Sequence, residues 1–193
     1  MLLALAAVFH VPVTTADELI PSGETSSYRS NPLKLSEFAL SRRVPEYVGL
    51  SKRIQAEDLE RRAGKASQHV LDALAKVGAK PEDTSFGSCV FANKPGDGSA
   101  REQAASCQKV LGGDANICYE YATKRYRSNL INWGMLPFVI PEGELPFKNG
   151  DYLFVPDVKK AVEEKTETIT IYVVGEEKKA FTVTLGDLTD DER

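Results

Sequence analysis

The 193-residue sequence predicts an α/β fold in which a mixed, partly parallel sheet is flanked by helices. Two observations support this class. Over residues 84–155, short apolar runs alternate with amphipathic stretches in the order β-α-β-α-β, which is typical of parallel strands joined by helical crossovers. From residue 168, two runs alternate apolar and polar residues around "GEEKK", which indicates a β-hairpin.

The chain opens with an apolar run, a polar loop and a charged segment. The run "MLLALAAVFHVPV" has no positive n-region and is too short to span a bilayer, so we interpret it as a buried helix or strand. It resembles an internal stretch of a longer protein, cut or restarted at a methionine. Residues 14–32 are too polar for a core and too long for a routine connection, which is often the mark of a functional loop. Residues 33–83 are predicted to be mostly helical, with one helix over 56–79 that ends near Gly78.

The segment 84–155 supplies the predicted βαβαβ core. The strand "SFGSCVFAN" is followed by the turn "GDGSAR" and by the helix "REQAASCQKVLGG". A second strand, "NICYE", leads to the helix "YATKRYRSNLINWG" and to a third apolar run, "MLPFVI". Residues 156–193 add a helix and the hairpin. We predict one domain over 1–193, in which 1–32 is the active-site loop segment and 33–83 is an insertion.

Composition excludes several classes of function. The net charge of −4 provides no basic field for nucleic acid, so an acidic small molecule would need local arginines. Cys89, Cys107 and Cys118 are odd in number and widely spaced, which fits neither a disulfide framework nor a zinc site. We interpret them as buried thiols in a reducing, cytoplasmic compartment, with no metal bound by this chain and no membrane partner.

The turn "KPGDGSAREQAA" places a serine and an arginine at the start of a helix. Gly96 and Gly98 would let a ligand approach the main chain, whose free N–H groups favour an anion. Ser99 has a plain alternative role as the N-cap, with Glu102 completing a capping box. Arg101 opposes the helix dipole in the first turn, which indicates that it faces an anion. A Walker A loop is excluded because no Gly-Lys-Ser/Thr follows the glycines.

These residues also carry a family resemblance. "GDGSAREQAA" resembles the Gly-x-Gly-Ser-Ser-Arg-Glu-His-Ala signature of the aconitase and isopropylmalate isomerase superfamily. The stretch up to "NWGMLPF" is similar to the family as well. The positions in register there are Asn129, Gly134, Leu136 and Pro137. Upstream, "TTADELIPSGETSSYRSN" resembles the family's Thr-Thr-Asp segment, with Asp17 and Arg29 at its aspartate and active-site arginine.

The resemblance implies the swivelling β/β/α domain, which is the C-terminal domain or a separate small subunit of these enzymes. They dehydrate and rehydrate a hydroxy-polycarboxylate with a [4Fe–4S] cluster as Lewis acid. Because the family's cluster cysteines lie in other domains, the expected partners are cluster-bearing domains encoded by the same or another gene.

The resemblance also assigns roles to individual residues. Ser99 would be the base, and Arg29 and Arg101 would clamp substrate carboxylates. Asp17 would orient a proton-handling group of the partner domain, which the resemblance implies is a histidine. Gly98 would give the substrate access to the main chain.

Two positions depart from the signature. Ala100, in the substrate-binding turn, replaces a second serine, and Gln103 replaces a histidine, which suggests a divergent aconitase-like hydratase. Two alternatives stay open at this point. The chain could be a non-catalytic fragment or binding module of the same fold. It could also be the small subunit of an isopropylmalate- or homoaconitate-type isomerase, although the charged segment 33–62 fits such subunits poorly.

Overall fold

The structure, a computed structural model, describes residues 1–21, 23–177 and 179–193. Its strands are β1 Leu2–Phe9, β2 Thr14–Thr15, β3 Phe86–Ala92, β4 Pro95–Asp97, β5 Gly113–Cys118, β6 Leu136–Val139, β7 Tyr152–Phe154, β8 Ile169–Val173 and β9 Lys179–Val183. Its α-helices are α1 Ala16–Leu19, α2 Pro32–Ser36, α3 Tyr47–Arg62, α4 Gln68–Lys76, α5 Arg101–Val110, α6 Lys124–Asn132 and α7 Val158–Glu163. Short 3₁₀ turns cover Ser26–Tyr28, Pro81–Asp83 and Asp190–Glu192.

The opening apolar run forms β1, a central strand of a seven-stranded mixed sheet. The strand order is β6-β5-β3-β1-β7-β8-β9, in which the first four are parallel and the other neighbours are antiparallel. Val139 at the end of β6 and Thr184 after β9 exchange two backbone hydrogen bonds of 2.8 and 2.9 Å. The two outer strands therefore meet and close the sheet. The mixed α/β class and the C-terminal hairpin are confirmed.

The closed sheet separates two apolar cores. Leu3 and Leu5 of β1 point to an inner cluster that contains residues of all seven strands, and α7 packs against this cluster. Leu2, Ala4 and Ala6, on the opposite face, join the cluster formed with the other helices. Because both faces are covered, β1 and β3 are nearly continuous apolar runs and do not alternate. None of the described helices is long and apolar enough to cross a lipid bilayer.

The single helix predicted over 56–79 is wrong. The chain forms α3 and α4, and the two are separated by residues 63–67. Gly64 in this break has φ +77°, a left-handed conformation that ends a helix and that glycine adopts without strain. Val70 and Leu74 nevertheless face the core, as the apolar spacing predicts.

A buried ion pair attaches α3 to the amino end of β3. Oδ1 of Asp58 accepts from Nε and Nη2 of Arg61 at 3.0 and 2.8 Å, and from the backbone N–H of Phe86 at 3.3 Å. Arg62 pairs with the other carboxylate oxygen at 2.9 Å. The side chains of Asp58 and Arg61 are only 11% and 9% exposed, so the Arg61 guanidinium depends on Asp58 for compensation of its charge.

Asp58→Ala should destabilise the protein by about 3 kcal/mol, because it leaves the buried Arg61 guanidinium without its negative partner and the Phe86 N–H without its acceptor. The free energy of unfolding from urea denaturation measures this. Lys160→Ala, which breaks an exposed pair with Glu164, is the control and should change stability by less than about 0.5 kcal/mol. Equal losses of stability in the two variants would contradict the role assigned to the buried Asp58–Arg61 pair.

Candidate functional site

The polar loop after β1 and the glycine-rich turn after β3 meet through a second, two-stranded sheet. β2 pairs in parallel with β4, with Thr14 opposite Pro95 and Thr15 opposite Asp97. The N–H of Thr14 also donates to the carbonyl of Lys94 at 2.9 Å. Since α1 begins directly after β2 and α5 begins shortly after β4, the two helices start on the same side of the domain and contact each other.

Residues 96–100, the glycine loop, lead from β4 into α5. Gly96 and Gly98 have φ values of +99° and +106°, which side chains rarely tolerate. A Cβ on Gly98 would lie 3.8 Å from the Cβ of Ala16 at the start of α1. This distance is an ordinary van der Waals contact, so the positive φ values, and not the approach to α1, are what favour glycine at these two positions.

Ser99 does not cap α5, so its alternative role as the N-cap, with Glu102 completing a capping box, does not apply. The N-cap position is Ala100, which has no side-chain hydrogen bond to give. The carboxylate of Glu102 instead accepts from the indole N–H of Trp133 at 3.1 Å. Ser99 is exposed, and none of the described residues forms a hydrogen bond with its hydroxyl. The serine thus stands beside the free N–H groups of the helix start without a structural hydrogen bond.

Arg101 closes the glycine loop on itself, because its Nε donates to the carbonyl of Gly98. Among residues 1–21, 23–177 and 179–193, no carboxylate forms an ion pair with this guanidinium. Arg101 therefore has a local bond through one nitrogen, and its two terminal nitrogens remain available to an acceptor outside the described residues.

Asp17 lies on α1, whose N-cap Thr15 forms a capping box with Glu18. Its Oδ2 accepts from Nη1 of Arg42 at 2.8 Å, and Nη2 of the same arginine donates to Glu24 at 2.6 Å. Sequence reasoning missed Arg42, because a contact between residues 25 positions apart leaves no local pattern. The arginine holds one carboxylate oxygen of Asp17 and leaves Oδ1 for another donor.

Arg29 follows the 3₁₀ turn Ser26–Tyr28 and is exposed. The ring of Tyr28 stacks on that of Phe38 at 5.8 Å, and the ammonium of Lys34 lies 4.4 Å from the Tyr28 ring centroid. These contacts tie the turn to α2, which in turn packs against α5. The segments that carry Asp17 and Ser99 are thus in direct contact, and the segment that carries Arg29 contacts them through α2.

The three cysteines do not form a cluster site. Cys89, Cys107 and Cys118 are buried free thiols. Burial raises the pKa of Cys107 and that of Cys118 to about 12, and it raises the pKa of Cys89 as well. Iron–sulfur clusters bind thiolates, which these environments disfavour. Within the part of the chain that the structure describes, no group of three potential metal ligands converges.

Two comparisons relate this geometry to known proteins. The family model of the aconitase C-terminal domain matches residues 46–143. This match includes the glycine loop, Arg101, α3 and α4, whereas Asp17 and Arg29 lie outside it. The fold is similar to a crystal structure of 3-isopropylmalate dehydratase from Methanocaldococcus jannaschii, with a TM-score of 0.50 and 19% identity over 90% of this chain and 83% of that chain. No curated protein matches the sequence.

Ser99→Ala should change the free energy of unfolding by less than about 0.5 kcal/mol, because the hydroxyl caps nothing. Thr123→Ala is the matched control: its Oγ1 accepts from the N–H of Tyr126 at 3.1 Å and donates to the carbonyl of Gly96 at 3.2 Å. Loss of this true cap should cost about 1 kcal/mol. Urea denaturation measures the free energy of unfolding of both variants. If Ser99→Ala lost as much stability as Thr123→Ala, Ser99 would have a capping role after all.

The buried thiols should resist alkylation in the folded protein at about pH 8 and react after unfolding, since only the unfolded thiols have a pKa near 8.5. The raised pKa values also make stability pH-dependent. Their contribution is complete below about pH 8.5 and is lost as the pH rises toward the folded values, because the unfolded thiols ionise first. Mass spectrometry of iodoacetamide adducts and urea denaturation across this range measure the two effects. Rapid modification of the native protein would contradict the burial.

Proposed function

Since the chain belongs to the aconitase C-terminal domain family, we propose that it is the swivelling domain of an aconitase-like hydro-lyase. The complete enzyme would remove water from a hydroxy-polycarboxylate and add it back at the neighbouring carbon. The observation that carries this proposal is the environment of Ser99: an exposed hydroxyl, free of a capping role, at the start of α5 and beside Arg101.

Ser99 would act as the base that takes a proton from the carbon next to a substrate carboxylate. A serine hydroxyl is a poor base unless its alkoxide is stabilised. The first N–H groups of α5 have no partner within the helix, and the helix dipole adds positive potential there. Together with the Arg101 guanidinium, these donors could stabilise the alkoxide at the position where negative charge resides.

Arg29 and Arg101 would bind the carboxylates of the substrate. A guanidinium offers two parallel N–H donors that match a carboxylate, which lysine cannot copy. Gly98 would allow the substrate to approach the loop backbone. Ala100 is only 8% exposed and joins the apolar core, so this position offers no hydroxyl to a substrate carboxylate. We therefore propose a substrate other than citrate itself, within the class of hydroxy-polycarboxylates.

Asp17 would orient a proton-handling histidine of the partner domain. Arg42 holds Oδ2 of this carboxylate, so the other oxygen, Oδ1, can accept from an imidazole N–H. In the dehydration step, the C–H proton would pass to Ser99, the C–O bond would break, and the departing hydroxyl would take a proton from the partner. Rehydration reverses these transfers.

The [4Fe–4S] cluster, when bound by the partner domains, would supply the Lewis acid for the substrate hydroxyl. The buried cysteines of this chain do not fit that ligand set, so the proposal requires cluster-bearing domains, either in the same polypeptide or in a separate subunit. We also place the enzyme in the cytoplasm, because all three cysteines are free thiols. The net charge of −4 gives no support for nucleic acid as a partner.

The test combines this chain with the cluster-bearing domains that the proposal requires, from the same gene or another, and measures turnover of several hydroxy-polycarboxylates by the absorbance of the unsaturated product. Ser99→Ala should lower kcat by about 10³-fold and change KM by less than about 3-fold, because the base acts on the transition state. Ser85→Ala is the control, since Ser85 is an exposed serine at the opposite, amino end of β3. It should retain normal kcat.

Two results would contradict the proposal. Wild-type protein that turns over none of these substrates with a loaded partner would reject the hydro-lyase function. An active enzyme in which Ser99→Ala keeps normal kcat would reject Ser99 as the base and leave the rest of the assignment standing.

A further inference from the structure

We propose that Tyr126 is a positioning residue for the glycine loop. Its ring packs against the backbone of Gly96, and a closed set of hydrogen bonds with Gln108 and Asn116 fixes the orientation of that ring. The catalytic part of this inference rests on the proposed function, because Ser99 must act in turnover for its position to matter. The support of the loop by Tyr126 rests on geometry alone.

The ring of Tyr126 lies directly against the backbone of Gly96. A Cβ on Gly96 would approach Cγ of this ring to 2.3 Å, and its Cβ and Cδ1 to 2.5 Å. Such distances are far below van der Waals contact, so Gly96 is required both for its φ of +99° and for the place that the ring occupies. Tyr126 is completely buried, so the loop rests on a side chain within the packed core.

The hydroxyl of Tyr126 belongs to a closed ring of three hydrogen bonds. It donates to Oδ1 of Asn116 at 2.7 Å and accepts from Nε2 of Gln108 at 2.9 Å. Nδ2 of Asn116 donates to Oε1 of Gln108 at 2.7 Å and closes the ring. The three residues come from α6, β5 and α5, so this triad joins the helix after the glycine loop to two neighbouring elements.

Every polar group of the triad is satisfied. The second amide hydrogen of Gln108 goes to the carbonyl of Ala104, and that of Asn116 goes to the carbonyl of Ala115, both at 3.1 Å. Burial raises the pKa of Tyr126, so its hydroxyl remains a donor at physiological pH. A saturated buried network defines one orientation of the ring, which an apolar side chain in the same space would not do.

Two further hydrogen bonds, from the residues just before α6, hold the backbone of Pro95 and Gly96. The hydroxyl of Thr123 donates to the carbonyl of Gly96 at 3.2 Å, and the N–H of Ala122 donates to the carbonyl of Pro95 at 2.9 Å. Residues 97–99 are exposed beyond this anchored end. A shift of the Tyr126 ring would therefore be transmitted to Gly96 and from there to Ser99, and displacements of about 1 Å at a reacting group can cost about 10²-fold in rate.

Three variants of the full chain test this inference. Tyr126→Leu removes the ring that supports Gly96, and Tyr126→Phe keeps the ring but loses the hydroxyl that fixes it. Phe138→Leu is the control, because it makes a similar deletion at a fully buried aromatic residue of the inner core, on the other side of the sheet. NMR order parameters of the backbone amides of residues 97–99 report loop rigidity, and kcat and KM are measured with the cluster-bearing partner.

In the wild type and in Phe138→Leu, the order parameters of residues 97–99 should be about 0.8, close to the value for rigid backbone. Tyr126→Leu should lower them below about 0.6. It should also lower kcat by about 10²-fold with less than about a 3-fold change in KM. Tyr126→Phe should give order parameters and a kcat between those of the wild type and Tyr126→Leu. If Tyr126→Leu does not fold, Tyr126→Phe alone tests whether Tyr126 positions the loop.

Order parameters that are the same in Tyr126→Leu and Phe138→Leu would overturn the inference and leave Tyr126 as a core residue. A mobile loop with unchanged kcat would overturn the catalytic part. Failure of the proposed function gives a different result: the wild type is inactive, and the order parameters alone then decide whether Tyr126 positions the loop.

Discussion

The parallel pairing of β2 with β4 is the constraint on which the candidate site depends. Each strand is very short, and neither would be stable by itself. Both are extensions of larger strands, since β2 follows β1 and β4 follows β3, and β1 and β3 are neighbours in the main sheet. The pairing of β1 with β3 therefore brings β2 and β4 next to each other. As a result, the helix that carries Asp17 and the loop that carries Ser99 start side by side.

The parts of the fold that could be predicted from sequence are those that depend on neighbouring residues. The strands of 84–155 and the hairpin depend on local periodicity, and the turn before α5 depends on its glycines. These are properties of short windows of sequence. The break at Gly64 depends on a left-handed φ, and the amphipathic pattern on both sides of it did not show this. Local signals thus identified the elements better than the boundaries between helices.

The capping of α5 and the partner of Asp17 could not be predicted, for a related reason. A serine followed three residues later by a glutamate matches a capping box, but the carboxylate of Glu102 is engaged by Trp133, 31 positions away. Arg42 reaches Asp17 across 25 positions. Both outcomes depend on which long side chains the tertiary fold brings together, and single-sequence patterns contain no information about that choice.

The distribution of charge around the site fits a binding role more closely than a purely structural one. Arg42 and Arg43 are paired with Asp17, Glu24 and Glu18, so their cations stabilise the polar loop. Arg101 has no carboxylate partner among the described residues, and it stands where the helix dipole opposes a positive charge. A bound dicarboxylate would relieve that repulsion. Of the two histidines, His69 bonds to Glu57 and His10 lies 5.7 Å from the ring of Phe91. Neither forms a hydrogen bond with Asp17, whose carboxylate pairs with Arg42. In the proposed mechanism, this chain would supply a base and cations, and the acid and the cluster would belong to the partner that completes the site.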